Sequence, residues 1–95
     1  MALLDFFWIN YNAEVPVVFK SQGSRFFFYS NEGDPREPLH VHIRKGECLA
    51  KIWLKPRLEV AECYGFNAKE INGLLRLVKQ NAVLIERTWN EYFQS

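Results

Sequence analysis

The sequence lacks three features that would each point to a class of protein. No apolar run approaches the roughly 18 residues of a membrane-spanning helix, so no membrane span is expected. Two cysteines, Cys48 and Cys63, are too few for a small secreted domain held together by disulfides. Lys and Arg number 12 against 11 Asp and Glu, so the formal charge of +1 gives no sign of the bulk basic charge typical of many nucleic-acid-binding domains.

What the chain does contain is apolar and aromatic surface. Of its 95 residues, 48% are hydrophobic and 16% are aromatic, which is typical of one folded domain rather than a disordered chain. The apolar stretch 3–9 follows no basic residue and contains Asp5, so it is a poor export signal. We therefore expect a cytoplasmic protein with reduced cysteines.

The first 14 residues differ from the rest of the sequence. They show no clean hydrophobic period, whereas residues 15–20 have the character of a β-strand. We interpret residues 1–14 as a loosely packed N-terminal extension. Residues 15–95 are predicted to form a single α+β domain.

Strand patterns fill the middle of the chain. Aromatic or alternating residues bounded by turn-forming residues predict a mostly antiparallel sheet of four to five strands. The strands after the first are expected at residues 24–30, 40–44, 47–54 and 58–62. Residues 31–39 are rich in Asn, Gly, Asp and Pro, and they predict a loop.

A helix is predicted from Asn67 onward and is expected to pack on one face of the sheet. Asn67 and Glu70 have the spacing of a capping box. Apolar residues then recur at intervals of three and four to form one stripe: Ile71, Leu74, Leu75, Val78, Ala82, Ile85, Trp89 and Tyr92. The unbroken stripe favours one long helix with a bend near Gln80-Asn81, and two shorter helices are the alternative.

The dipeptide Lys45-Gly46 predicts a two-residue hairpin turn, which would place His40 opposite Lys51. Because side chains alternate across a strand, one face is then apolar and the other polar. The apolar face would carry Val41, Ile43, Cys48, Ala50, Ile52 and Leu54. The polar face would carry His40, His42, Arg44, Glu47, Leu49, Lys51 and Trp53, with Glu59 opposite Trp53. Both histidines are therefore expected on the side that the helix leaves uncovered.

The pair His40 and His42 is the strongest local signal for chemistry. Two imidazoles on one strand face can exchange protons during phosphodiester cleavage without a metal. Lys51 and Arg44 would then stabilise the phosphate charge that develops in the transition state. In a second interpretation, both histidines are partly exposed side chains with no catalytic role.

A metal site is a third interpretation of the same pair. No zinc-type cysteine pair is present, so His40 and His42 would need a third ligand. The candidate donors are Glu32, Asp34, Glu59 and the thiolate of Cys48, which falls on the opposite face. No cofactor is expected in the leading interpretation.

Binding residues are expected around the histidines. Trp53, beside Leu49 on the polar face, would stack on a base or anchor a partner protein, unless another segment covers it. The loop residues Asn31 and Glu32 would orient His40 or contact a ligand, although such residues also occur in plain turns.

Several motifs together resemble one bacterial family, domain-of-unknown-function family 4160. That family combines an aromatic strand, Ser-Asn-Glu-Gly, Glu-Pro-Pro-His-x-His, Ala-Lys-x-Trp-Leu, and Gly-Phe followed by a helix ending near a Trp. The matching segments lie within about residues 15–93 and are Phe26 to Gly33, Glu37 to His42, Ala50 to Leu54, Gly65-Phe66, and Trp89. Leu39 stands where the family usually has a second proline.

The resemblance implies a small bacterial protein without an established reaction. Many members look as if they are encoded beside another small protein, which implies toxin–antitoxin pairing. The leading hypothesis is a module that acts on or binds RNA or another phosphate-bearing target through the His-x-His face. The alternatives are a non-catalytic adaptor that docks a partner protein through that face, and a metal-binding protein.

Overall fold

The structure is a computed structural model that describes residues 14–30 and 37–93. The proposed extension therefore lies almost wholly outside the described residues, and the division at residue 14 stays a prediction. Asn31, Glu32 and Asp34 also lie outside them.

Five antiparallel strands form one sheet in which each strand pairs with the next along the chain. They are β1 (Glu14–Ser21), β2 (Ser24–Tyr29), β3 (His40–Lys45), β4 (Cys48–Trp53) and β5 (Glu59–Tyr64). Two helices follow, so the predicted α+β class is confirmed.

The β3–β4 turn is formed by Gly46 and Glu47, not by Lys45 and Gly46. Gly46 has a φ of +60°, and Lys45 pairs with Cys48. Glycine adopts this backbone conformation without the steric cost that a lysine would meet, which explains why Gly46 takes the first turn position.

The corrected turn shifts the pairing of β3 and β4 by two residues. His42 lies opposite Lys51, and His40 lies opposite Trp53, so the predicted pairing of His40 with Lys51 is wrong. A shift of two leaves every side chain on its predicted side of the sheet.

The two helices are α1 (Ala68–Gln80) and α2 (Ala82–Phe93). The predicted capping box is present: the Glu70 backbone N–H donates to Asn67 Oδ1 at 2.8 Å, and the Asn67 N–H donates to Glu70 Oε1 at 2.9 Å. The predicted helix is divided at Asn81, within the predicted bend, so of the two arrangements that the sequence left open the structure has the two shorter helices. The Asn81 side chain there donates to the Leu77 carbonyl at 2.8 Å. Neither helix has both the length and the apolar character needed to cross a bilayer.

Both helices pack on one side of the sheet, here called the helix face. Its strand residues are Phe26, Phe28, Val41, Ile43, Ala50 and Ile52, and all are buried. Leu74, Val78, Ile85 and Trp89 from the helices complete the same core. The apolar stripe and the apolar sheet face therefore cover each other, as the sequence predicts.

Candidate functional site

The opposite side of the sheet carries both histidines and is here called the histidine face. Cross-strand pairing and alternation along each strand define its members. They are Arg25, Phe27, Tyr29, His40, His42, Arg44, Leu49, Lys51, Trp53, Glu59, Glu62 and Tyr64. The side chains of β3 and β4 that the sequence predicts for one face therefore lie together on it.

His40 is fully enclosed, with 0% of its surface exposed. Its ring centroid lies 5.2 Å from that of Trp53, 5.2 Å from that of Trp89 and 5.1 Å from that of His42. The expectation that the helical layer leaves both imidazoles uncovered is wrong for His40. It is the first residue of β3, and Trp89 of α2 contacts it while also packing on Phe28.

One ring nitrogen of His40 forms a hydrogen bond with the backbone. Nδ1 lies 2.9 Å from the carbonyl oxygen of Pro38. A carbonyl only accepts hydrogen bonds, so Nδ1 carries a proton and donates. This bond fixes the tautomer of neutral His40 and the orientation of its ring.

His42 is half-buried between aromatic neighbours. Its ring stacks on Phe27, with the centroids 5.7 Å apart and the planes at 24°. The Tyr29 ring meets it edge-on at 4.6 Å. The predicted proximity of the two imidazoles is therefore confirmed, although they sit within a cluster of aromatic rings.

Glu37 joins the site just before β3. Its Oε1 accepts a hydrogen bond from Lys51 Nζ at 3.2 Å and lies 3.8 Å from His40 Nδ1. Glu37 was not among the site residues predicted from the sequence. Its position three residues before His40 was the available signal, since a short loop keeps the two side chains close.

Lys51 is largely enclosed by these contacts. Its Nζ lies 4.5 Å from the centroid of the Trp53 ring, a distance suited to a cation–π interaction. Trp53 itself is half-buried between His40 and Lys51. The Trp53 ring is therefore partly covered, as one of the two alternatives from the sequence expected, and only the remaining part of the ring is available to a partner.

Cations cluster toward the β2–β3 side of the face. Arg25 and Arg44 lie directly opposite each other, and both are half-buried. Arg44 is also the cross-strand neighbour of Leu49. With Lys51 they give this part of the face three basic side chains, of which Arg44 and Lys51 were predicted from the sequence as site residues.

Acidic residues lie on the β5 side. Glu59 is opposite Trp53, as predicted. A register shift after Lys51 inserts Ala61 as an extra residue in β5, which places Glu62 opposite Lys51. Glu62 was missed because a β-bulge reverses the alternation and leaves no clear mark in the sequence.

The described residues supply no third ligand for a metal ion bound by His40 and His42. Within residues 14–30 and 37–93, no three His, Cys, Asp or Glu side chains are close enough to hold one ion. Cys48 lies on the helix face, as predicted, and Cys63 is exposed; both are unpaired thiols.

Comparisons with known proteins give one match. A search of curated proteins and a search of solved structures each found none. A protein-family model described as "Domain of unknown function (DUF4160)" matches residues 23–90, which run from the start of β2 into α2. The chain therefore belongs to the DUF4160 family.

Proposed function

We propose that the chain is a non-catalytic binding module of the toxin–antitoxin type that docks a small companion protein. The docking surface would be the β4–β5 side of the histidine face. One contrast carries the proposal: His40 is enclosed, whereas Tyr64 on the same face is 63% exposed. At β5 the histidine face therefore has exposed surface that a partner can contact, whereas around His40 the side chains are packed against one another.

The enclosure of His40 argues against an acid–base pair. A general acid or base must come within hydrogen-bond reach of the proton that it transfers. His40 has no exposed surface, and its Nδ1 proton is donated to Pro38. Its ring instead supports Trp53 and His42, which gives it a structural role in the proposal.

The exposed side of the face has the composition of a protein interface. Tyr64 is exposed beside its half-buried cross-strand neighbour Leu49, and Trp53 is half-buried at the other end of β4. Aromatic residues near the centre of an interface contribute most of the binding free energy. Glu59 is exposed opposite Trp53 and Glu62 is exposed opposite Lys51, so the expected companion presents apolar side chains bordered by Lys or Arg.

The strand β5 adds a second reason for docking at this side. It pairs only with β4 within the described residues, so it is an edge strand. Edge strands keep backbone N–H and C=O groups available to a strand of another chain.

A bacterial cytoplasm is the proposed location. Two unpaired cysteines suit a reducing compartment. The family resemblance supports a companion encoded by a neighbouring gene, which would be synthesised in the same compartment.

Co-expression with the product of the adjacent gene tests the proposal. We expect the companion to co-purify with the wild-type protein and to be lost with Tyr64→Asp, which places a charge in the contact area. The matched control is Val83→Asp, since Val83 is 78% exposed on α2. Absence of the companion from the wild-type preparation, or equal retention by both variants, would contradict docking at this face.

A second candidate function is binding or cleavage of RNA, and the cluster of Arg25, Arg44 and Lys51 beside His42 favours it. Guanidinium and ammonium groups are common contacts for phosphates. Incubation of the purified protein with single-stranded RNA separates the two functions. Cleavage by the wild type that is lost in His42→Ala would support this candidate over docking, and intact RNA with no binding would remove it.

A further inference from the structure

We propose a second binding site, a nucleotide-binding cleft on the helix face, which is independent of the proposed docking surface. The cleft lies between the β1–β2 turn, the end of β3 and α1, and its volume is about 420 Å³. Ligand sites usually have roughly 300–1,000 Å³, so one nucleotide unit fits this range.

Three basic side chains surround the cleft: Lys45, Lys69 and Arg76. Across residues 14–30 and 37–93, no hydrogen bond or ion pair engages any of these three side chains. The acidic residue at the cleft, Glu70, already accepts the Asn67 N–H in the capping box. The cleft is therefore positively charged, and its cations are available to a phosphate.

The position of Lys45 follows from the hairpin beside it. A methyl group at Gly23 would lie 3.5 Å from Lys45 Cε, so the lysine stem packs across the β1–β2 turn. This packing holds one cation at the sheet side of the cleft, opposite the two on α1.

Gly73 keeps the helix side of the cleft open. It lies in the interior of α1 and lines the cleft, and a methyl group there would meet no atom within 4 Å. A larger side chain at this position would occupy space that is now empty.

The ligand class follows from what surrounds the cations. Phe66, Leu74 and Leu77 supply apolar surface, and Gln22 and Gln80 supply amide groups that can bind the edge of a base. An aromatic ring next to cations is typical of sites that stack a base and bind its phosphate. A free nucleotide and a nucleotide within single-stranded RNA share this chemistry.

Titration with adenosine monophosphate, followed by the amide signals of the ¹⁵N-labelled protein, tests the proposal. We expect shifts at Ser24, Lys69 and Gly73, and affinities about tenfold weaker for adenosine alone and for inorganic phosphate alone. Titration with a uridine oligonucleotide distinguishes a free nucleotide from a nucleotide within single-stranded RNA as the ligand. Tighter binding than the mononucleotide identifies an RNA strand as the ligand, and equal or weaker binding identifies the free nucleotide.

Two variants and one control complete the test. The triple variant Lys45→Gln/Lys69→Gln/Arg76→Gln removes the cations and should weaken binding at least about tenfold. Gly73→Leu keeps the charge, fills the cleft and should weaken binding similarly. The control Lys55→Gln/Lys79→Gln/Arg87→Gln removes equal charge away from the cleft and should bind like the wild type.

Three results would contradict nucleotide binding in the cleft. They are no cleft shifts with either adenosine monophosphate or RNA, equal affinity for inorganic phosphate and adenosine monophosphate, and equal loss of binding in the control variant. None of these results bears on docking at Tyr64, which lies on the other side of the sheet.

Discussion

His40 lies directly opposite Trp53 in the paired strands β3 and β4, and their ring centroids are 5.2 Å apart. With Trp89 on another side and the Pro38 carbonyl on Nδ1, the imidazole occupies an enclosed position. In the proposed function this imidazole, one of the two that the sequence selects as catalytic candidates, serves as a packing residue.

Replacement of His40 should be much more costly than replacement of His42. His40→Ala leaves a cavity among aromatic rings and removes the bond to Pro38, so we expect a loss of about 3 kcal/mol in the free energy of unfolding. His42→Ala, at a half-buried position, should cost about 1 kcal/mol. Urea denaturation measures both values, and similar losses would show that His40 is not the more tightly packed ring.

Gly65 should tolerate alanine poorly. Its φ is +88°, and a methyl group would lie 2.8 Å from Cys48 Sγ, so backbone strain and a steric clash add together. We expect Gly65→Ala to lower the free energy of unfolding by about 2–4 kcal/mol.

Gly46→Ala is the matched comparison for that variant. Its φ is also positive, but a methyl group there meets nothing within 4 Å. Gly46→Ala should lower the free energy of unfolding by only about 1 kcal/mol, because it introduces backbone strain without a steric clash. Thermal denaturation of both variants tests the difference, and equal losses would be inconsistent with the close approach to Cys48.

The alternation of β3 and β4 was enough to predict which residues share each face. The register of β3 against β4 was less predictable, because a two-residue turn can form at Lys45-Gly46 or at Gly46-Glu47. The two turns shift the strand pairing by two residues, and an even shift leaves the same side chains on each face. The enclosure of His40 was also beyond the sequence, because alternation gives the side of a residue and not what packs against it. Trp89, far along the chain, decides that outcome.

The capping box predicts a specific effect at Asn67. Asn67→Ala removes the acceptor of the Glu70 N–H, so we expect a loss of about 1 kcal/mol in stability. Asn72→Ala, at an exposed position in the same helix, should be neutral or slightly stabilising. The free energies of unfolding by urea compare the two, and a neutral Asn67→Ala would show that the cap contributes little.

The contact between Glu37 and Lys51 should be measurable in a double-mutant cycle. The variants Glu37→Gln and Lys51→Gln should show a coupling of about 0.5–1 kcal/mol, because the Lys51 side chain is only 15% exposed. The pair Lys55 and Glu86, 4.0 Å apart and more exposed, should show coupling near zero. Equal coupling for the two pairs would contradict the enclosed position of Lys51.

The most direct test of the proposed function is the affinity of the purified companion from the adjacent gene, measured by calorimetry. We predict that Tyr64→Ala binds the companion about tenfold more weakly than the wild type, because an exposed aromatic side chain at the interface is removed. Val83→Ala should bind like the wild type. Unchanged affinity for Tyr64→Ala would contradict docking through this side of the histidine face.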